Sequence, residues 1–237
     1  MKKINVKLSE FLNDFISLIF PNICICCDEP LVNQEKVICS KCNIDLPRTY
    51  YHLAVNNPVE QLFWGRIPIE KATSYFLFQK GSQYQKLLHY LKYKGMRYIG
   101  VELGKKFAAE LGQTNYFADI DLIVPVPLHP KKERKRGYNQ SLAIAEGLAL
   151  NLKKETDSTN LFRKQYSETQ TRKSRFERWE NVSDLFDIKS PERFSGKHIL
   201  LVDDVVTTGS TLEACAQAVQ KQAPVKVSIA TLAFAAI

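Results

Sequence analysis

The stretch Ile199-Leu-Leu-Val-Asp203-Asp204-Val-Val-Thr207-Thr208-Gly209-Ser210-Thr211 restricts the architecture of this chain more than any other. An apolar run reads as a buried strand and ends in two acids. A loop of small hydroxylated residues with one glycine follows, and the pattern then predicts a helix over Thr211–Gln222. Open α/β sheets bind ligands at the carboxyl ends of their strands. A helix N-terminus offers free N–H groups and the positive end of a dipole to an anion. Gly209 lets the backbone come close, and the Thr and Ser hydroxyls add donors. These residues predict a phosphate cradle. Asp203 and Asp204 cannot sit on the phosphate itself, but they suit the hydroxyls of an adjoining sugar, so the expected ligand is a 5-phosphorylated ribose. The loop is not a Walker loop, because no Gly-Lys-Ser/Thr follows. An ordinary strand-to-helix turn with a single cap would not call for two adjacent acids followed by Thr-Thr-Gly-Ser-Thr.

The rest of the chain supplies the frame for such a loop. Strand patterns at Ala72–Phe78, Leu122–Pro127, His198–Val202 and Lys226–Leu232 alternate with helical spacing at Tyr84–Tyr93, Val101–Leu111 and Ser141–Leu152. That alternation predicts a doubly wound α/β fold with a mostly parallel sheet. A length of 237 residues suits one such domain plus a small module. The expected divisions are an amphipathic helix at 1–20, a cysteine knuckle at 21–47, a linker or hood at 48–71, and the main domain at 72–237. With 45% hydrophobic residues the chain can build a core, which argues against disorder. No run of about 18 uncharged apolar residues predicts a membrane span. The N-terminal apolar positions are interrupted by Glu10 and Asp14 and lack a small-residue cleavage site, so they read as a helix docked on its own domain rather than a signal peptide; a partner-binding or membrane-surface helix is the alternative. The expected location is the cytoplasm.

Six cysteines are present, four of them as Cys24/Cys27 and Cys39/Cys42. Two residues between cysteines let a tight turn aim both thiolates at one ion, and four such ligands fill the tetrahedral shell of a structural zinc. The 11 residues between the pairs require a short ribbon or knuckle. Cys26 reads as a spare thiol, Cys215 as a small buried hydrophobe and His89 as structural.

The cradle sequence Val202–Thr211 resembles the 5-phosphoribosyl-1-pyrophosphate (PRPP) motif of type I phosphoribosyltransferases. Further motifs resemble the competence protein F (ComF, ComFC-like) family: Val124-Pro-Val-Pro-Leu-His129, Arg136-Gly-Tyr-Asn-Gln140, Arg163 with Thr169 and Gln170, Arg178-Trp-Glu-Asn-Val182 before Phe186, Leu91-Lys-Tyr-Lys-Gly95, and the cysteine knuckle. The resemblance spans residues 21–235, with Cys26 and Tyr138 as departures. It implies that Thr207, Thr208, Gly209, Ser210 and Thr211 hold the ribose 5-phosphate, and that Asp203 and Asp204 bind the ribose hydroxyls as the catalytic acids. It implies that Leu128–Gln140 approaches the pyrophosphate through Arg136 and Asn139, with Lys135 in reach, and that a closing basic loop brings Arg172, Lys173, Arg175 and Arg178. Mg²⁺ would accompany PRPP and help carry the departing charge. His129 could touch phosphate or simply pack at a strand end.

Two functions follow. The first is Mg²⁺-dependent transfer of phosphoribose from PRPP to an unidentified nitrogen acceptor. The second is a non-catalytic DNA-uptake module that binds single-stranded DNA and a competence helicase, with PRPP or a nucleotide as regulator. The net charge of +8 and the clusters Lys131–Arg136 and Arg172–Arg178 suit substrate phosphate, nucleic acid or a solvated face alike. An oligomer is compatible with either function.

Overall fold

The computed structural model describes residues 21–32, 34–164 and 185–235. The expected N-terminal helix and the basic loop with Thr169, Gln170, Arg172, Lys173, Arg175 and Arg178 lie outside the described residues.

Five strands, β1 (Ala72–Leu77), β2 (Leu122–Pro125), β3 (Glu155–Thr156), β6 (His198–Val206) and β7 (Lys226–Phe234), form one parallel sheet in the order β1-β7-β6-β2-β3. The side chains of β1, β2, β6 and β7 are almost entirely buried on both faces, as expected of parallel strands sandwiched by helices, whereas the two-residue edge strand β3 is not buried. Helices α3 (Gln85–Tyr93), α4 (Arg97–Gln113) and α6 (Gln140–Leu152) cover one face, where Leu87, Leu103, Phe107 and Leu148 share a core with Leu200 and Val202. Helix α7 (Ser210–Gln220) covers the other, where Leu212, Cys215 and Val219 meet Ile199 and Leu201. Helices α4 and α6 approach each other at Gly104 and Gly147, where added side chains would strike the facing helix backbone.

Two differences from the sequence expectation matter for the site. Strand β6 runs on through both acids to Val206, because its ladder with β7 continues past Asp203↔Thr231 to Val206↔Phe234. Hydrophobic patterning ends a strand at the first charge, whereas backbone pairing does not. The second difference is the basic stretch after β2, which forms helix α5 (Pro130–Arg136). Pro130 opens it, and the His129 ring caps it by accepting from the Lys131 N–H at 3.1 Å. Gly137 ends it at φ +82°.

The main sheet changes winding direction between β2 and β6. From β2 the chain passes through α6 to β3, and from β6 it passes through α7 to β7, on opposite faces and away from each other. That divergence opens a crevice at the carboxyl ends of β2 and β6. A separate antiparallel hairpin pairs β4 (Leu161–Arg163) with β5 (Phe186–Ile188). The knuckle, with its short helix α1 (Ser40–Ile44), shares the core of the first face through Cys24, Val37, Ile38 and Cys42. Its contacts include the Tyr84 hydroxyl donating to the Cys42 carbonyl at 3.3 Å and the Lys86 ammonium donating to the Cys26 carbonyl at 3.2 Å.

Candidate anion and sugar site with a four-thiol cluster

The loop after β6 enters α7 through Gly209, which has φ +77° and no side chain to cap the helix. The first-turn N–H groups of α7 therefore have no N-cap side chain competing for them. Thr207, Thr208 and Thr211 are exposed, Ser210 is half-buried, and the Thr208 and Ser210 hydroxyls lie 3.0 Å apart. Together with Asp203 these residues line a cavity of about 50 Å³. The cradle is held from outside by the segment carrying helix α2 (Pro58–Gln61) and its following turn. A Cβ on residue 209 would come within 2.9 Å of the Phe63 ring. The Arg66 guanidinium donates to the Thr208 carbonyl at 2.7 Å and pairs with Glu213 of α7. The segment expected to be a linker or hood thus braces the cradle.

The two acids have different surroundings. Asp203 accepts from the Ser141 hydroxyl and from the Asp204 N–H, both at 2.8 Å. Burial, reinforced by the negative charge of Asp204, pushes its carboxyl up to about 7. Asp204 pairs with the Lys92 ammonium of α3 at 3.1 Å. One acid is thus partnered by a hydroxyl and the other by a cation. Together they present acceptor oxygens where sugar hydroxyls could donate.

The residues after β2 build the opposite wall. Asn139 caps α6, accepting from the Ser141 N–H at 3.0 Å and donating to the Val126 carbonyl at 3.0 Å. Those bonds tie the start of α6 to the end of β2 and so aim Ser141 at Asp203. The Arg136 guanidinium lies 5.7 Å from the centre of the Tyr93 ring and donates to Gln140 at 2.6 Å. Lys131, Lys132, Arg134 and Lys135 stand exposed along α5. The structure therefore brings Asp203, Asp204, Ser141, Lys92 and residues 207–211 to one end of the sheet. Arg136 and Asn139 stand on the segment that follows β2.

Sequence reasoning placed Lys92 only within a family motif and did not single out Ser141. Both partner the acids from helices more than 60 residues away in the chain. The available signal for Lys92 was a basic residue directly after Leu91, one of the helix's buried residues.

Four thiols, of Cys24, Cys27, Cys39 and Cys42, lie within 4.8 Å of one another and form a group that can hold a metal ion. The Cys27 and Cys39 sulfurs are 3.7 Å apart. That matches the roughly 3.8 Å edge of a tetrahedron with metal–sulfur bonds of about 2.3 Å. Backbone N–H groups of Cys39 and Cys42 donate to the sulfurs of Cys24 and Cys39 at 3.3 and 3.4 Å. Burial raises the Cys24 thiol, but backbone N–H groups of Cys27, Cys39 and Cys26 outweigh it and bring the thiol down to about 7. Cys26 is buried outside the group, and burial pushes its thiol up to about 12. Cys215 is buried in the core and His89 is exposed. No helix among the described residues is long and apolar enough to cross a membrane.

The profile of the phosphoribosyl transferase domain matches residues 138–236, a stretch that includes α6, β6, α7 and β7. DNA utilization protein YhgH of Escherichia coli (strain K12) is 28% identical over 215 residues, covering 84% of this chain and 91% of that protein. Competence protein ComFC of Bacillus subtilis (strain 168) is 33% identical over 96 residues, covering 40% of this chain and 37% of that protein. Among solved structures, a glutamine phosphoribosylpyrophosphate amidotransferase from B. subtilis, complexed with ADP and GMP, is 20% identical with a TM-score of 0.41. The match covers 56% of this chain and spans 25% of that structure's length.

Proposed function

Because the chain belongs to the ComF-like family of type I phosphoribosyltransferase proteins, we propose that it binds Mg²⁺-PRPP and transfers phosphoribose to a nitrogen acceptor. The observation that carries this reading is the continuity of β6, loop and α7. One uninterrupted element sets two carboxyl groups for a sugar beside an uncapped helix N-terminus for its 5-phosphate. Thr207, Thr208, Gly209, Ser210 and Thr211 hold that phosphate, and Asp203 and Asp204 take the ribose hydroxyls. Arg136 and Asn139 stand toward the pyrophosphate. Arg172, Arg175 and Arg178, which lie outside the described residues, are the further cations proposed for the pyrophosphate.

Mg²⁺ is usually bound by one or two carboxylates together with substrate phosphates. Asp203 and Asp204 suit that mode, and the ion would supply charge stabilisation to the departing pyrophosphate. The protein's own share is orientation of the sugar, electrostatic stabilisation by basic side chains, and exclusion of water. Zinc fits the four-thiol group, whose complete set of protein ligands is that of a structural site. The names of the relatives, a DNA utilization protein and a competence protein, extend the proposal to a role in DNA utilization and competence.

A second reading draws on α5, whose exposed Lys131, Lys132, Arg134 and Lys135 form a basic ridge suited to a nucleic acid backbone. In that reading the protein is a non-catalytic uptake module that binds single-stranded DNA and a helicase, with PRPP as regulator. Phosphorus NMR of PRPP with the full chain separates the two. The donor reading expects the 5-phosphate resonance to shift with Mg²⁺ present and to revert in Thr208→Val/Thr211→Val. No shift, together with salt-sensitive DNA binding that survives Asp203→Asn/Asp204→Asn, would establish the second reading instead.

A further inference from the structure

A second cavity, of about 280 Å³, lies beside the cradle and is walled by Phe78, Gln85, Leu88, His89, Lys92 and Tyr93. Val205 and Thr207 line both it and the cradle cavity, so the two are neighbours. Its walls are aromatic and apolar, with Tyr93 65% exposed and its ring 5.2 Å from that of His89 at a tilt of 44°. Such faces stack a planar ring. The lining holds an ammonium and an imidazole but no carboxylate. Asp204, the nearby sugar acid, is held by Lys92 at 3.1 Å and is not part of the lining. Lys92 therefore stands between the sugar position and the pocket.

We infer that this pocket receives the acceptor, and that the acceptor is a flat aromatic nitrogen heterocycle bearing a carboxylate or similar anionic group. The inference rests on the PRPP-donor reading for its chemistry, but not for its binding. An ammonium has three N–H donors, so Lys92 can keep one on Asp204 and turn another to the anionic substituent. The Gly81 N–H engages the Gln85 carbonyl oxygen at 2.8 Å, which fixes that amide with Nε2 as its donor end. The ring stacks against Tyr93 and Phe78. A ring nitrogen supplies the electron pair of the new bond to the anomeric carbon. The bond from that carbon to the pyrophosphate oxygen breaks, and pyrophosphate leaves with its electrons. Any hydrogen on the attacking nitrogen passes to water. Ammonia as acceptor would need neither the aromatic walls nor the cation.

The test uses the full-length, zinc-loaded protein and two ring pairs that differ in charge: nicotinate against nicotinamide, and orotate against uracil. Binding is followed by ligand-observed NMR with and without Mg²⁺-PRPP, and folding of each variant by thermal melting. At least one acid is expected to bind saturably, at least tenfold more tightly than its neutral partner. Lys92→Met should reduce that preference to within twofold, and Tyr93→Ala should weaken both members of the pair. The inference is overturned if no ring binds, if acid and neutral rings bind equally, or if the preference survives in a folded Lys92→Met protein. Mg²⁺-PRPP is titrated on the same samples. Donor binding without ring binding sinks the pocket alone. Lys92-dependent ring binding without donor binding upholds the pocket and sinks the transfer reading.

Discussion

Asp203 is an acid whose surroundings hold its proton. Its carboxyl is raised to about 7 by burial and by Asp204. A raised acid binds its proton more tightly in the folded state than in the unfolded chain. Between the unfolded value near 4 and about 7, the folded form therefore holds more protons, and this group's contribution to stability falls as pH rises. Asp203→Asn should stabilise the protein by about 1–2 kcal/mol at pH 8 and by little at pH 5. Urea unfolding of both proteins at the two pH values checks this; an equal difference at both would contradict it. At Gly209, φ of +77° and the Phe63 ring both oppose a side chain. Gly209→Ala should cost about 1–2 kcal/mol in melting and weaken phosphate binding at the cradle. The acids and the hydroxylated loop were legible in the sequence because they are contiguous. Ser141 and Lys92 were not, because only the packing of α6 and α3 on the sheet brings them to the acids.

At the scale of elements, four of the five parallel strands and the main helices could be read from apolar runs and helical spacing, but not the two-residue polar strand β3. Their ends could not. The acids hid the last turns of pairing in β6, and the density of charge hid α5. The hairpin β4–β5 was missed because three-residue strands carry too little pattern. The glycines of α4 and α6 also gave no signal of their purpose. The structure shows that Gly104 and Gly147 let the two helix backbones touch. Gly147→Ala would place a methyl group against the Val101 carbonyl and force the helices apart, at a cost of about 1–3 kcal/mol. Chemical denaturation should show the loss; an unchanged midpoint would mean that the helices slide apart freely.

On the scale of the whole molecule, the knuckle and the sheet share one core. The cysteine cluster shares the core that α3, α4 and α6 lay on the sheet, so loss of the metal should not be confined to the knuckle. Stripping with a chelator, or Cys42→Ser, should lower the main melting transition rather than create a separate early one. Calorimetry distinguishes these outcomes, and an unmoved main transition would show the knuckle to be an independent appendage. Helix α3 links the knuckle and the sheet, because it touches the knuckle through Lys86 and Asp204 through Lys92.

The most direct test of the account is calorimetric titration of Mg²⁺-PRPP into the zinc-loaded protein, wild type against Asp203→Asn/Asp204→Asn. The account predicts saturable 1:1 binding by the wild type, and its loss in a double variant that remains folded. Absence of binding by folded wild-type protein, or undiminished binding by the double variant, would contradict the assignment of β6 and its loop as the donor site.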